Sequence, residues 1–193
     1  MSATVDAYLI DASSLGRVFG GNNHHLVEEI VTGFSESIQS NFINYRHEID
    51  DGALTVIQAL TDIVQGDITM PQFAWQYGNA IQLLCKSIGT KLPNDEFQMM
   101  QPGFFDAVEA QEIRVIPDML FRHFNLPIPI PPIEDFPLIT MITQDEAEYV
   151  LETTAEIEFH EPYAREKREL MEEFRGWLAE SKVARQDIVT FYS

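Results

Sequence analysis

The chain has 193 residues, 45% hydrophobic and 22% charged, a balance that supports a folded core and excludes wholesale disorder. Thirty-one acidic residues against twelve basic ones give a net charge of −19. That excludes a direct nucleic-acid or anionic-membrane binder, since both need clustered Lys and Arg to displace counterions or meet headgroups.

Length favours one domain over residues 1–193, because a single core keeps growing to about 250 residues. The lone Cys85 has no internal disulfide partner, which suits a reducing compartment. No apolar run approaches the ~20 residues that span a bilayer, and the first residues lack a basic leader followed by an apolar stretch. A cytoplasmic protein is expected.

In chain order, Thr4 to Asp11 reads as a strand, with Val5, Ala7 and Leu9 on one face and Tyr8 and Ile10 on the other. Leu26, Ile30, Phe34, Ile38, Phe42, Tyr45 and Ile49 recur at threes and fours, one apolar helical stripe that Gly33 could break into two pieces. Leu54, Ile57, Leu60 and Ile63 carry a second helix that stops at Gly66. A third begins near Pro71, runs through Phe73, Tyr77, Ile81, Leu84 and Ile88, and takes Gly89 as its C-terminal cap.

Residues 106–113 and 117–124 read as short helices. Leu126 to Pro137 holds five prolines and cannot be helical; it reads as an extended surface connection with Ile128, Ile130 and Ile133 turned inward. A domain boundary would fall there, but the C-terminal portion beyond it is too small for a core of its own. Leu138 to Ile142 is a third strand candidate, and Thr143 with Glu146 forms a capping box opening a helix to about Ile157. A last helix starts at Pro162 and packs Tyr163, Leu170, Phe174, Trp177 and Leu178. Asp187 to Tyr192 closes the chain as a strand. The fold expected is α+β, mostly helical, with a small sheet built from the two terminal strands and one internal strand.

Chemistry-bearing motifs are sparse. His24 with Glu28 and His25 with Glu29 stand at i,i+4, two groups each where a closed metal site needs three or four ligands, so no metal is expected. His47-Glu48 and His160-Glu161 each lack the second His of HExxH, and no GxSxG occurs. Gly16, Gly20 and Gly21 lack the spacing of a phosphate cradle and read as a flexible turn. Cys85 reads as a buried structural thiol. Arg46, His47, Asp50 and Asp51 cluster upstream of Trp75 and Tyr77; a cleft near His47, Asp51 and Tyr77 would suit acid–base work or a small ligand. The plainer account is a solvated helix end with Asp51 capping the next helix. No catalytic residue and no cofactor are assigned.

The acid distribution says more. No Lys or Arg lies between His123 and Ala164, a stretch holding Glu134, Asp135, Asp145, Glu146, Glu148, Glu152, Glu156, Glu158 and Glu161. Glu148, Glu152 and Glu156 would stack at i,i+4, where like charges repel. The final helix offers Arg165–Glu169 and Arg168–Glu172 pairs instead. The acidic helix is therefore the candidate surface for a basic protein partner, such as the target of an immunity or antitoxin-like inhibitor.

AYLID near the N-terminus, Gln76 to Asn94 (QYGNAIQLLCKSIGTKLPN), Asp135-Phe136-Pro137, Gly176-Trp177-Leu178 and Asp187 to Tyr192 together resemble an uncharacterised bacterial family of single-domain proteins. The terminal strands are also similar to those of YfbM-like α+β proteins. The shared motifs are packing residues, so the resemblance implies an α+β fold and a cytoplasmic setting and brings no activity with it.

Overall fold

A computed structural model describes residues 4–97, 115–120, 126–133, 137–158 and 164–192. The expected helices over 106–113 and beyond Leu120, and the helix start at Pro162, fall outside those residues. The fold is α+β: along the chain come β1 (Val5–Ile10), α1 (Ala12–Val18), α2 (His24–Gly33), α3 (Ser35–Asn44), α4 (Arg46–Asp50), α5 (Val56–Gln65), α6 (Ala74–Ile88), β2 (Thr90–Lys91), α7 (Val115–Leu120), β3 (Leu138–Ile142), α8 (Gln144–Thr153), α9 (Ala164–Ala184) and β4 (Asp187–Tyr192). The contacts group into two compact units.

The first unit takes residues 1–11, 90–124 and 138–193 and contains the sheet. Its strand order is β2-β1-β4-β3, antiparallel throughout. The two terminal strands are the central pair, with Val5 opposite Tyr192 and Ile10 opposite Asp187. Val5, Ala7, Leu9 and Ile188 are buried on one face and Tyr8, Ile10, Val189 and Phe191 on the other, as the double-sided apolar pattern requires. β2 is a fourth strand not evident in the sequence, since two residues are too short to show alternation. The chain past it stays along β1: the Leu92 N–H donates to the Ala7 carbonyl at 2.9 Å, and the Asn94 amide donates to the Val5 carbonyl at 3.1 Å.

α8 and α9 pack together in this unit, and Ala147, Val150, Leu170, Phe174, Trp177 and Leu178 join β1 and β4 in one core. Trp177 lies against Phe97 at 4.5 Å between ring centroids and donates its indole N–H to the Pro93 carbonyl. Thr143 and Glu146 form the expected capping box, and the Asp187 carboxylate accepts from the Gln144 N–H at 3.0 Å, fastening the start of α8 to the start of β4. α8 ends at Thr153, short of the expected Ile157. Thr153 and Thr154 turn their hydroxyls back onto the Tyr149 and Val150 carbonyls, and Arg175 of α9 takes at 2.8 Å the Thr154 carbonyl that a further helical turn would use.

The second unit takes residues 12–89 and 125–137. Its core is α5 against α6 and α2, through buried Ile30, Val56, Leu60, Ile63, Ile81 and Leu84. α5 begins at a capping box of Thr55 and Gln58, correcting the assignment of that cap to Asp51. It ends at left-handed Gly66 (φ 77°), where a Cβ would stand 2.8 Å from the Gly20 Cα. The glycine-rich turn is accordingly a built one: the Gly20 and Asn22 N–H groups donate to the Ile63 and Val64 carbonyls. Those N–H groups serve the C-terminal end of a helix, which leaves no phosphate cradle. Gly89 ends α6 in extended backbone and feeds β2, without a left-handed cap. Among its described residues the proline-rich segment is neither helix nor strand, with Ile128 buried, and it meets α6 where Gly78 has no side chain; a Cβ there would stand 2.7 Å from Ile133.

The expected single break in the long apolar stripe becomes two, at Phe34 and Tyr45, giving three short helices. Of the stripe residues only Ile30 is fully buried, and α3 and α4 bury none.

Replacing Trp177 with Ala should cost about 3–5 kcal/mol in chemical denaturation, by removing the largest side chain from the core of the sheet-bearing unit. Trp177→Phe should cost less, about 1–2 kcal/mol, because the ring stays and the hydrogen bond to Pro93 goes.

Candidate functional site

The residues singled out in the sequence occupy different environments. His47 and Asp51 meet along α4 at 3.0 Å (Nδ1 to Oδ2), and Arg46 and Asp50 at 3.7 Å, all four exposed. Tyr77 does not share that exposed cluster. It is fully buried on α6, where its hydroxyl donates to the Asp62 carboxylate at 2.7 Å and accepts from the Met70 N–H at 3.2 Å. Asp62 on α5 also accepts from the Thr69 hydroxyl at 2.6 Å and the Thr69 N–H at 3.3 Å.

This arrangement is a fastening of the loop between α5 and α6. A carboxylate out of water must be met by donors, and Tyr77 and Thr69 supply three. Burial first, and then the neighbouring Asp62 carboxylate, raise the Tyr77 pKa above its ordinary value. The sequence carried one signal for it, an acid three residues beyond Ala59 on the otherwise apolar face of α5. Its partners, at Thr69 and Tyr77, could be assigned only once the loop was folded.

Cys85 is wholly buried on α6, and burial pushes its thiol from an ordinary 9.0 up to about 12, the environment of an inert structural thiol. His25 stands 3.7 Å from Glu28 and 3.3 Å from Glu29 at the exposed start of α2. Among the described residues no three His, Cys, Asp or Glu side chains are grouped to hold a metal ion, and no helix is long and apolar enough to cross a membrane.

The acidic series needs correction. Glu148 and Glu152 lie on α8, but Glu156 falls beyond its end and completes no i,i+4 ladder. Glu148 is met by Lys182 of α9 at 2.7 Å, and Glu152 adds to the field that raises the Lys182 pKa after the Glu148 hydrogen bond. A basic partner for these acids was therefore supplied from 34 positions along the chain, beyond what spacing within one helix can show. Of the expected α9 pairs, Arg165 and Glu169 meet at 2.7 Å.

Two concavities are notable. In the sheet-bearing unit a cleft of about 680 Å³ lies between the chain after α8 and the face of α9, lined by Thr154, Glu158, Arg168, Met171, Glu172 and Arg175. Two arginines and two glutamates share this lining, and Arg175 is already engaged by the Thr154 carbonyl. Glu173, whose pKa burial raises, points its carboxylate instead at the Glu96 N–H (2.7 Å). In the helical unit a groove of about 330 Å³ is walled by α2, α3, α4 and α5 and is apolar almost throughout. Phe42 on its wall is 44% exposed and neighbouring Ile43 63%, while Ile38 and Ile49 are half-buried, so the helical stripe expected to be core is only partly covered here.

Removing the Tyr77 hydroxyl as Tyr77→Phe should destabilise by about 1–3 kcal/mol, since the buried Asp62 loses a donor. The raised Cys85 and Tyr77 values also give alkaline loss of stability. Both groups hold their protons more tightly folded than unfolded, so their contribution is complete below the unfolded values and declines as pH rises through the folded ones. Unfolding free energy measured from pH 9 to 12 should fall, and Cys85→Ala should flatten that slope.

Residues 1–193 match the family described as Domain of unknown function (DUF7691). No curated protein and no solved structure matches the chain.

Proposed function

The chain belongs to the DUF7691 family, a domain of unknown function, and from that premise we propose that it is a protein-interaction module whose acidic surface receives a basic partner protein. One observation carries the reading: a chain at −19 holds far more carboxylates than its own Lys and Arg can pair, and it also leaves α3 without a buried residue. Like-charge repulsion works against the compact state, so such an excess costs stability that a basic partner would return.

The acids lie in two tracts. Between His24 and Asp51 six acids stand against the single basic Arg46, and no Lys or Arg occurs from Phe124 to Tyr163. Glu148, Glu152 and Glu156 belong to the second tract, with Glu148 partly committed to Lys182. An immunity or antitoxin-like inhibitor covering a basic toxin or nuclease is the form this module takes in our reading. A bacterial, cytoplasmic setting belongs with it: the free, buried Cys85 suits a reducing compartment. YfbM-like proteins are distant kin in the same reading, on the terminal-strand pattern.

Cross-linking in cells coupled to mass spectrometry tests the proposal. Cross-links from residues 24–51 or 144–158 should lead to one Lys- and Arg-rich protein, and the purified pair should separate as salt is raised. Glu152→Lys should keep the fold and slow association with that protein at low salt. A neutral or acidic partner, or a pair indifferent to salt, would refute the reading.

A further inference from the structure

We infer that the groove walled by α2, α3, α4 and α5 is a docking seat for an amphipathic helix with an apolar ridge and a basic outer face, supplied by the partner. The inference rests on the interaction reading above and gives that reading a place and a shape.

The seat is formed by Val31, Ile38, Phe42, Ile49, Val56 and Ile57, drawn from four consecutive helices of one compact unit. Two of the polar residues on its wall have their side chains committed elsewhere: Thr55 closes the capping box with Gln58, and the Asn41 carbonyl oxygen accepts from the Gln76 amide at 3.4 Å. A site for a small polar ligand needs convergent donors and acceptors. This groove offers apolar side chains a place to leave water and little else.

Sequence makes the same point. Ile38 and Phe42 stand at i,i+4 on α3, and Phe34, Ile38, Phe42, Tyr45 and Ile49 keep the three-and-four spacing of a core-facing stripe. Yet α3 and α4 fully bury no residue: Phe34, Ile38, Tyr45 and Ile49 are half-buried and Phe42 is exposed, so the stripe keeps the pattern of a packed face with only part of its cover. α3 is ten residues long, about 15 Å of helix, which matches the reach of an i, i+3, i+4, i+7 ridge laid beside it.

Charge chooses the occupant. The helices around the groove carry Glu28, Glu29, Glu36, Glu48, Asp50 and Asp51 with Arg46 as their one Lys or Arg. A second copy of this chain would bring its own −19 against those helices, whereas a helix with Lys and Arg outside its apolar ridge would meet opposite charge.

The test uses the full chain and a synthetic 18-residue amphipathic peptide with Leu at i, i+3, i+4 and i+7 and Lys elsewhere. A peptide with the same Leu pattern and Glu in place of Lys serves as control. The Lys-faced peptide should bind, with backbone amide shifts concentrated in residues 31–57, and the Glu-faced one should bind at least tenfold more weakly. Phe42→Asp is the decisive variant. It adds negative charge, so attraction to charge alone would strengthen binding, while loss of the apolar seat should weaken it at least tenfold. Phe42→Ser repeats the test without added charge, and an unchanged circular dichroism melt shows that this exposed position leaves the fold intact. Binding that persists or tightens in Phe42→Asp would overturn the seat while leaving the acidic-surface reading standing. Absence of binding by either peptide, with Phe42→Asp converting a dimer to a monomer, would assign the groove to a second copy and overturn the proposal. Absence of binding with a monomer in both forms would overturn it as well; a basic partner found by cross-linking would still decide the broader reading on its own.

Discussion

The pairing of β1 with β4 is the constraint on which the sheet-bearing unit depends. It joins residues 5–10 to residues 187–192 in one antiparallel register and puts both terminal strands at the centre of the sheet. Closing so long a loop costs only slightly more than closing a short one, because the entropy grows with the logarithm of length. Once made, the pair offers β2 and β3 their edges and gives α9 a surface on which to set Phe174, Trp177 and Leu178. A one-residue slip would exchange the Val5–Ala7–Leu9 face for the Tyr8–Ile10 face, so the register is held by burial on both sides as much as by the ladder.

Polar groups inside the two units act as fasteners. Asp62, Thr69 and Tyr77 hold one interhelical loop, Asp187 holds the start of α8, and Thr154 with Arg175 closes the other end of that helix. Each involves a group whose hydrogen-bonding capacity would be costly to leave unmet away from water. The groups whose proton affinity burial moves upward, Tyr77, Cys85 and Glu173, take part in packing or loop fastening. Their displacement comes from the low-dielectric surroundings and serves the fold. The His47–Asp51 pair, by contrast, lies exposed at the end of α4.

The surface obeys a different logic. Acids in excess repel one another, and apolar side chains such as Phe42 and Ile43, half or more in water, contribute only part of the burial that would offset this. Both features coincide in α2 to α4, where the short helices, interrupted at Phe34 and Tyr45, wall the apolar groove. That coincidence of partial packing and excess charge is what the proposed interface rests on. The Lys182–Glu148 pair shows the opposite case, an acid of the long base-free tract answered from within the chain.

Local pattern by itself determined three strands and the cap that opens α8, while β2 and the Thr55 cap of α5 escaped it. Double-sided apolar alternation located Val5–Ile10 and Asp187–Tyr192, a short apolar run located Leu138–Ile142, and Thr143 with Glu146 marked the start of α8, because each feature is satisfied by neighbours within a few residues. Only tertiary structure decided the rest. The same three-and-four spacing describes a stripe that is buried and one that is only partly covered, so Ile38 and Phe42 looked like full core until α3 was placed. An i,i+4 count could not know that Thr153 and Thr154 would end α8 before Glu156, or that Lys182 would reach Glu148 from α9. Tyr77 was grouped with His47 by nearness along the chain, yet its hydroxyl bonds to Asp62. Periodicity specifies which face of an element is apolar; what that face meets is set by contacts between elements distant in sequence, and those exist only in the folded chain.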